Sequence, residues 1–269
     1  MPAPVVPVRH VHGDAPAAGP LAPFALDQDS VSLGVAGYGM VEVTRTGVRV
    51  IGPDEQARQG VWDRLGIWAE AQWLLHQGLF VARGCVIAKN SRCVAITGNS
   101  QQGASVTAAL LTKSGWGLIS DGIIVIDDRG QALMRAPIVT LDSMLVDRLF
   151  ADSVIESTKA GRPRTRVGVP GHHDATLTDV VTIRVTNAID DVVVTAPDAN
   201  TQDHARLMPM RSVLRRPTPA SVPHGVRNWI VARPIPLNEQ MLARVLPPAV
   251  ARALEAALDA DPVHEQVRA

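Results

Sequence analysis

Aromatic side chains are scarce in this chain: five Trp, three Phe and one Tyr make up 3% of it. Its core must therefore be built from Val, Ile, Leu and Ala, which a hydrophobic content of 46% supplies. Cysteine is rarer still. The two present, Cys85 and Cys93, lie in apolar, strand-like runs and read as buried thiols, not as a disulfide framework or a metal knuckle. An excess of either charge is absent too, since 26 Lys and Arg balance 26 Asp and Glu. With no net positive field, neither nucleic acid nor an anionic membrane is expected as a partner. No apolar run approaches the roughly 18 residues of a membrane span. The opening MPAPVVPVRHVHGDAPAAGPLAP lacks the basic-then-apolar order of a signal peptide, so a cytoplasmic protein is expected.

What is present is a succession of short apolar strands with helices set between them. The 269 residues suit one large domain, or one domain with a small appendage. Residues 1–28, rich in Pro and Ala, read as a flexible tail. Over 29–77, SVSLGVA, GMVEVTRT and GVRVI predict an antiparallel meander. A helix follows, with Pro53 near its start and Trp62, Leu65, Trp68, Trp73 and Leu74 at helical spacing. Residues 78–235 form the main core, and 236–269 a C-terminal helical segment. TLDSMLVDRLF predicts a short helix with Thr140 as its cap. Strict β-α alternation is missing, so the expected fold is α/β with a mixed sheet and inserted helices, not a doubly wound parallel sheet.

The stretch CVAITGNSQQGASVTAALLTKSG, residues 93–115, carries the chemistry. It has the frame of a phosphate-binding loop: apolar strand, Gly98, four residues (Asn99, Ser100, Gln101 and Gln102), Gly103, Ala104, the Ser105 hydroxyl, then a helix. Such a loop works because consecutive backbone N–H groups form a concave nest and the helix start adds partial positive charge. A hydroxyl at Ser105 suits Mg²⁺. Ala104 stands where the frame calls for lysine. A backbone nest survives without that cation, but a charge-assisted bond worth roughly 1.5–3 kcal/mol is lost. Loss of a cation that stabilises phosphoryl transfer costs about 10³ or more in rate. Ala104 therefore harms turnover more than binding. The alternative is a glycine-rich turn between strand and helix that binds nothing.

The surroundings WLLHQGLFVARGCVIAKNSRCVAITG and GWGLISDGIIVID resemble the core of the HPr kinase/phosphorylase-like proteins. That family shares the phosphoenolpyruvate-carboxykinase type of nucleotide-binding fold. The resemblance spans about residues 60–135. It implies ATP and Mg²⁺ as cofactors, with Gly98 to Ser105 as the nucleotide loop, Ser105 and Asp121 as metal-holding residues, and Asp121 in catalysis. Three positions depart from the family pattern: Arg83 for a histidine, Ala104 for the lysine and Gly122 for a second aspartate. Gly98, Gly103, Ser105, Ser120 and Asp121 keep it. Arg83 is a candidate replacement cation at the phosphate end of the sheet, or an ordinary solvated strand-end arginine. Asp121 also fits a turn-forming Asp-Gly pair.

Other candidates are weaker. Arg162, Arg164 and Arg166 form a basic run that could hold phosphate oxygens, or a polar surface loop. His172, His173 and Asp174 make a poor metal set, because adjacent histidines in an extended chain point apart. Lys113 lies too far along the loop helix to replace the lysine. Two readings stand. One is a diverged pseudo-kinase, binding nucleotide or a peptide or protein partner as an accessory. The other is an active phosphotransferase with a rearranged site, acting on a Ser or Thr hydroxyl or on a small molecule. Apolar edge strands are compatible with a homo-oligomer.

Overall fold

The structure is a computed structural model that describes residues 4–13, 24–25, 30–98, 103–150, 154–158, 164–187, 189–195, 226–236 and 246–260. These residues fall into two compact units, one up to Val81 and one from Ala82 onward.

The first unit holds β1 (Val8–His12), β2 (Phe24–Ala25), β3 (Ser30–Val35), β4 (Gly39–Thr44), β5 (Gly47–Gly52) and α1 (Glu55–His76). Strands β3 to β5 form the expected meander, and β4 alternates buried and half-buried residues as a strand with one face on a core must. The N-terminal segment departs from expectation. Val8–His12, placed in the tail by composition, pairs parallel with β5. Backbone pairing needs no hydrophobic periodicity, so composition did not betray it. Helix α1 starts beside Pro53 with Asp54 as its cap, the side chain accepting from the Ala57 N–H at 2.7 Å. Trp73 is buried and donates through Nε1 to the Arg45 carbonyl at 3.2 Å, whereas Trp62 and Trp68 are half-buried.

The chain crosses into the second unit through β6 (Phe80–Arg83) and continues as β7 (Cys85–Lys89), β8 (Arg92–Gly98), α2 (Ala104–Thr112), β9 (Gly117–Ser120), β10 (Ile123–Ile126) and β11 (Gln131–Ala132). Then come β12 (Ile138–Asp142), α3 (Ser143–Leu149), β13 (Val154–Thr158), β14 (Arg164–Gly168), β15 (Ala175–Thr176), β16 (Asp179–Thr186), β17 (Val193–Thr195), β18 (Arg227–Pro234) and α4 (Leu246–Asp259). Its main sheet has six strands in the order β17-β18-β16-β8-β7-β9. Strands β8, β16 and β18 are parallel, while β7, β9 and β17 run antiparallel to their neighbours. The fold is mixed α/β, as the spacing of strands and helices predicted. One face of this sheet, with Ile87, Ile96, Ile183 and Val231, packs with residues of α2 and α4 such as Leu111 and Leu254 in a single apolar core. A three-stranded sheet, β12-β14-β13, adds Val139, Leu141 and Val167 to that core.

Thr140 does not cap α3. It lies within β12, and the helix begins at Ser143. The apolar alternation of Val139 and Leu141 extends the strand through the position that local propensity had assigned to a cap.

Register fixes which end of the sheet is which. Gly98, where the loop begins, is opposite Ile183, and Val94 is opposite Asp179. Asp179 thus marks the end away from the loop. Its carboxylate is fully buried and accepts from Arg92 Nε (3.0 Å), Trp229 Nε1 (2.8 Å) and Thr178 Oγ1 (2.8 Å), with Arg227 Nη2 also 2.8 Å away. Arg92 also donates to the Leu258 carbonyl in the last turn of α4.

Candidate functional site

Strand β8 is buried from Arg92 to Ile96 and delivers the chain to Gly98 at the carboxyl end of three parallel strands. Ligands of open α/β sheets gather at that end. Asn99, Ser100, Gln101 and Gln102 lie outside the described residues. The chain returns at Gly103, which caps α2 with φ 104° and ψ 14°, a left-handed conformation natural to glycine. Among the described residues no side chain caps this helix; its first bond runs from the Thr107 N–H to the Gly103 carbonyl at 2.9 Å. Ala104 is half-buried, with its methyl packed on the apolar core.

Two predicted residues meet here. Asp121 sits in the bend between β9 and β10, which belong to different sheets, and is followed by Gly122 at φ 83°. Its carboxylate faces the start of α2. Oδ1 accepts the Cys85 thiol at 3.0 Å, and Oδ2 accepts the Thr140 backbone N–H at 3.0 Å. The same sulfur lies 3.7 Å from Ser105 Oγ. Ser105 and Asp121, 16 positions apart in the sequence, thus gather on one buried thiol. Burial first, and then the negative charge of Asp121, raise the Cys85 thiol well above its ordinary pKa, so it remains a protonated donor. Next to Asp121 in the chain, Ser120 is fully buried, and its Oγ has no hydrogen-bond partner among the described residues.

Arg83 is exposed at the end of β6, where its carbonyl accepts the Thr97 hydroxyl at 3.1 Å. That contact places its backbone at the loop end of the sheet. Arg162 lies outside the described residues. Arg164 is placed by register opposite Asp142, and Arg166 opposite Thr140, the residue whose N–H holds Asp121. Lys113 is at the far end of α2, donating to the Leu149 carbonyl and standing 4.4 Å from the Phe150 ring centroid. His172 and His173 do not converge. Their ring centroids are 6.5 Å apart, and His172 Nδ1 is spent on the His173 carbonyl at 2.9 Å. Among the described residues no group of three or more His, Cys, Asp or Glu could hold a metal.

Sequence reasoning missed Cys85, Thr140, Arg184 and Arg233 at this end of the fold. Arg184 follows Ile183, the residue level with Gly98, and Arg233 lies opposite Val185 on the next parallel strand. Arg184 is exposed; Arg233 is buried, and burial lowers its pKa. Parallel pairing of segments far apart in the chain leaves no local signal. For Cys85 a signal existed: counting back from the Asn90–Ser91 turn, with Lys89 opposite Arg92, places Cys85 opposite Ile96, just below the loop.

No family model matches the chain, and no curated protein matches it. Among solved structures, the chain is similar to the HPr(Ser) kinase/phosphatase from Coxiella burnetii, at 13% identity and a TM-score of 0.36, over 70% of this chain and 96% of that one. The relationship at that level is a distant structural one. Among the described residues, no helix is long and apolar enough to cross a membrane.

Proposed function

We propose that this chain is a nucleotide-binding accessory on a kinase-like scaffold. It takes the phosphates of ATP with Mg²⁺ at the segment from Gly98 to Ser105, and turns them over weakly or not at all. The observation that carries the proposal is the gathering of the Ser105 hydroxyl and the Asp121 carboxylate on Cys85 at the point where β8 hands over to α2. Both are hard oxygen donors of the kind Mg²⁺ takes. Among the described residues, each carboxylate oxygen accepts one hydrogen bond, which leaves a further lone pair for a cation. The donor set therefore fits the ion, and the bound ion would neutralise phosphate charge that Ala104 cannot meet.

Ala104 and Gly122 argue for binding over turnover. The first supplies no cation to the transferred phosphate, and the second removes an obvious general base. In this reading the partner is a peptide or protein whose state the nucleotide reports or modulates. A rearranged phosphotransferase is the second reading, and the arginines favour it: Arg184 stands one residue beyond the level of Gly98 on the adjacent strand.

Calorimetric titration with ATP and Mg²⁺, paired with an assay for phosphate release, tests both. Micromolar to millimolar binding that Ser105→Ala abolishes, with no release of phosphate, fits the accessory. Phosphate release that Arg184→Gln suppresses fits the phosphotransferase. No heat at millimolar ATP removes the nucleotide from either account.

A further inference from the structure

Cys85 resembles an ordinary core cysteine: it is 1% exposed and part of the main apolar cluster. Its polar contacts are not those of a space-filling group. A carboxylate can only accept, so the 3.0 Å approach of Sγ to Asp121 Oδ1 is a hydrogen bond donated by the thiol. The thiol has one proton, and the shorter contact takes it. Ser105 Oγ, 3.7 Å from the same sulfur, then meets a weak acceptor and can turn its own proton inward while its oxygen lone pairs face the ligand.

We propose that Cys85 is a positioning residue that holds the Asp121 carboxylate and the Ser105 hydroxyl at a fixed spacing for a divalent cation on the nucleotide. The inference rests on the nucleotide-binding function proposed above and names the group that orders its metal site. Two donors on two different strands fix the carboxylate plane: the thiol on β7 at Oδ1 and the Thr140 N–H on β12 at Oδ2. Strand β7 is paired on both sides, by β8 and β9, so the thiol has a rigid base. Sulfur suits the place because burying a thiol costs less than burying a hydroxyl, yet it still supplies a donor that a methyl group could not. An apolar side chain of the same size would leave Oδ1 against hydrocarbon, and the carboxylate would turn away from Ser105.

The test uses the full chain and three proteins: wild type, Cys85→Val, which keeps size and burial but removes the donor, and Cys85→Ser, which restores one. ATP affinity is measured by calorimetry with Mg²⁺ and again in EDTA, with the melting temperature of each protein recorded. Groups that orient metal ligands typically change metal affinity by about 10–100-fold. Cys85→Val should therefore weaken Mg²⁺-dependent ATP affinity by about tenfold, leave metal-free affinity unchanged, and be rescued by Cys85→Ser. A purely structural role predicts instead that both affinities fall together, or that neither moves while only the melting temperature shifts; either result overturns the proposal and leaves the nucleotide site standing. Wild-type protein that binds no ATP under any condition overturns the nucleotide site and, with it, this role for Cys85.

Discussion

In the function proposed above, Ala104 is the residue that favours binding over catalysis. Its methyl packs on the core while its neighbours form the start of α2, so a lysine there can lay its stem along the same surface and extend its charge outward. Ala104→Lys should strengthen ATP binding by about tenfold or more, since 1.4 kcal/mol is one decade. Unchanged affinity in a folded variant would mean that the phosphates do not lie on this loop. The two thiols offer a second residue-scale prediction. Burial raises both above the ordinary 9.0, with Asp121 adding to the effect at Cys85 and Asp179 at Cys93, whose pKa is pushed up to about 12. The folded state thus keeps protons that the unfolded state releases. Their contribution is complete below the unfolded pKa and is lost as pH climbs towards the folded values. Stability should fall by up to about 1.4 kcal/mol per pH unit for each thiol in that window. Urea denaturation on either side of it checks the slope, which a Cys85→Val, Cys93→Val double variant should flatten.

At the scale of elements, the β7–β8 hairpin positions both Cys85 and the loop. Asn90 turns it with φ 57°, and Lys89 and Arg92 pair across the turn. A β-branched residue tolerates that conformation poorly. Asn90→Val should cost about 1–2 kcal/mol and Asn90→Gly little, by thermal denaturation. The other end of β7 is more constrained. A Cβ on Gly84 would lie 2.4 Å from the Ile96 carbonyl oxygen and 2.8 Å from Ile124 Cδ1, at φ 146°. Gly84→Ala should destabilise by roughly 2 kcal/mol or more, and a variant as stable as wild type would contradict the close approach of β7 and β8. The β7–β8 hairpin was legible in sequence from the Asn-Ser turn between two apolar runs, although GLFVARGCVIA reads as one strand and the structure breaks it at Gly84 into β6 and β7. Thr140 was not, because a threonine before an apolar helix is a fair cap until a strand partner claims it, and β14 does.

Across the whole second unit, the main sheet keeps the candidate site and a buried charge cluster at opposite ends. The loop end carries Gly98, Ser105 and Asp121, and the opposite end carries the buried Asp179 with Arg92, Arg227, Trp229 and Thr178. Through Arg92 this cluster reaches the last turn of α4, and Lys89 binds Glu255 of the same helix at 3.3 Å. Removing one member of a buried ion pair leaves the others uncompensated. Asp179→Asn should cost roughly 3–5 kcal/mol and speed hydrogen exchange in α4. ATP affinity of the remaining folded protein should not change, because the cluster lies at the far end of the strands. A fall in affinity matching the loss of stability would show the two ends to be coupled.

Composition and spacing alone determined that this chain builds an aliphatic α/β core and carries a strand–glycine–helix turn without its lysine. Those features are local: side-chain periodicity, glycine and turn chemistry act over a few residues, and the sequence displays them directly. The tertiary structure decided what meets at the turn. Cys85, Ser105, Asp121 and Thr140 come from four elements, and Arg184 and Arg233 reach the same end of the sheet through parallel pairing. Such meetings depend on register between distant strands, which hydrophobic burial sets for the sheet as a whole and which no single segment encodes.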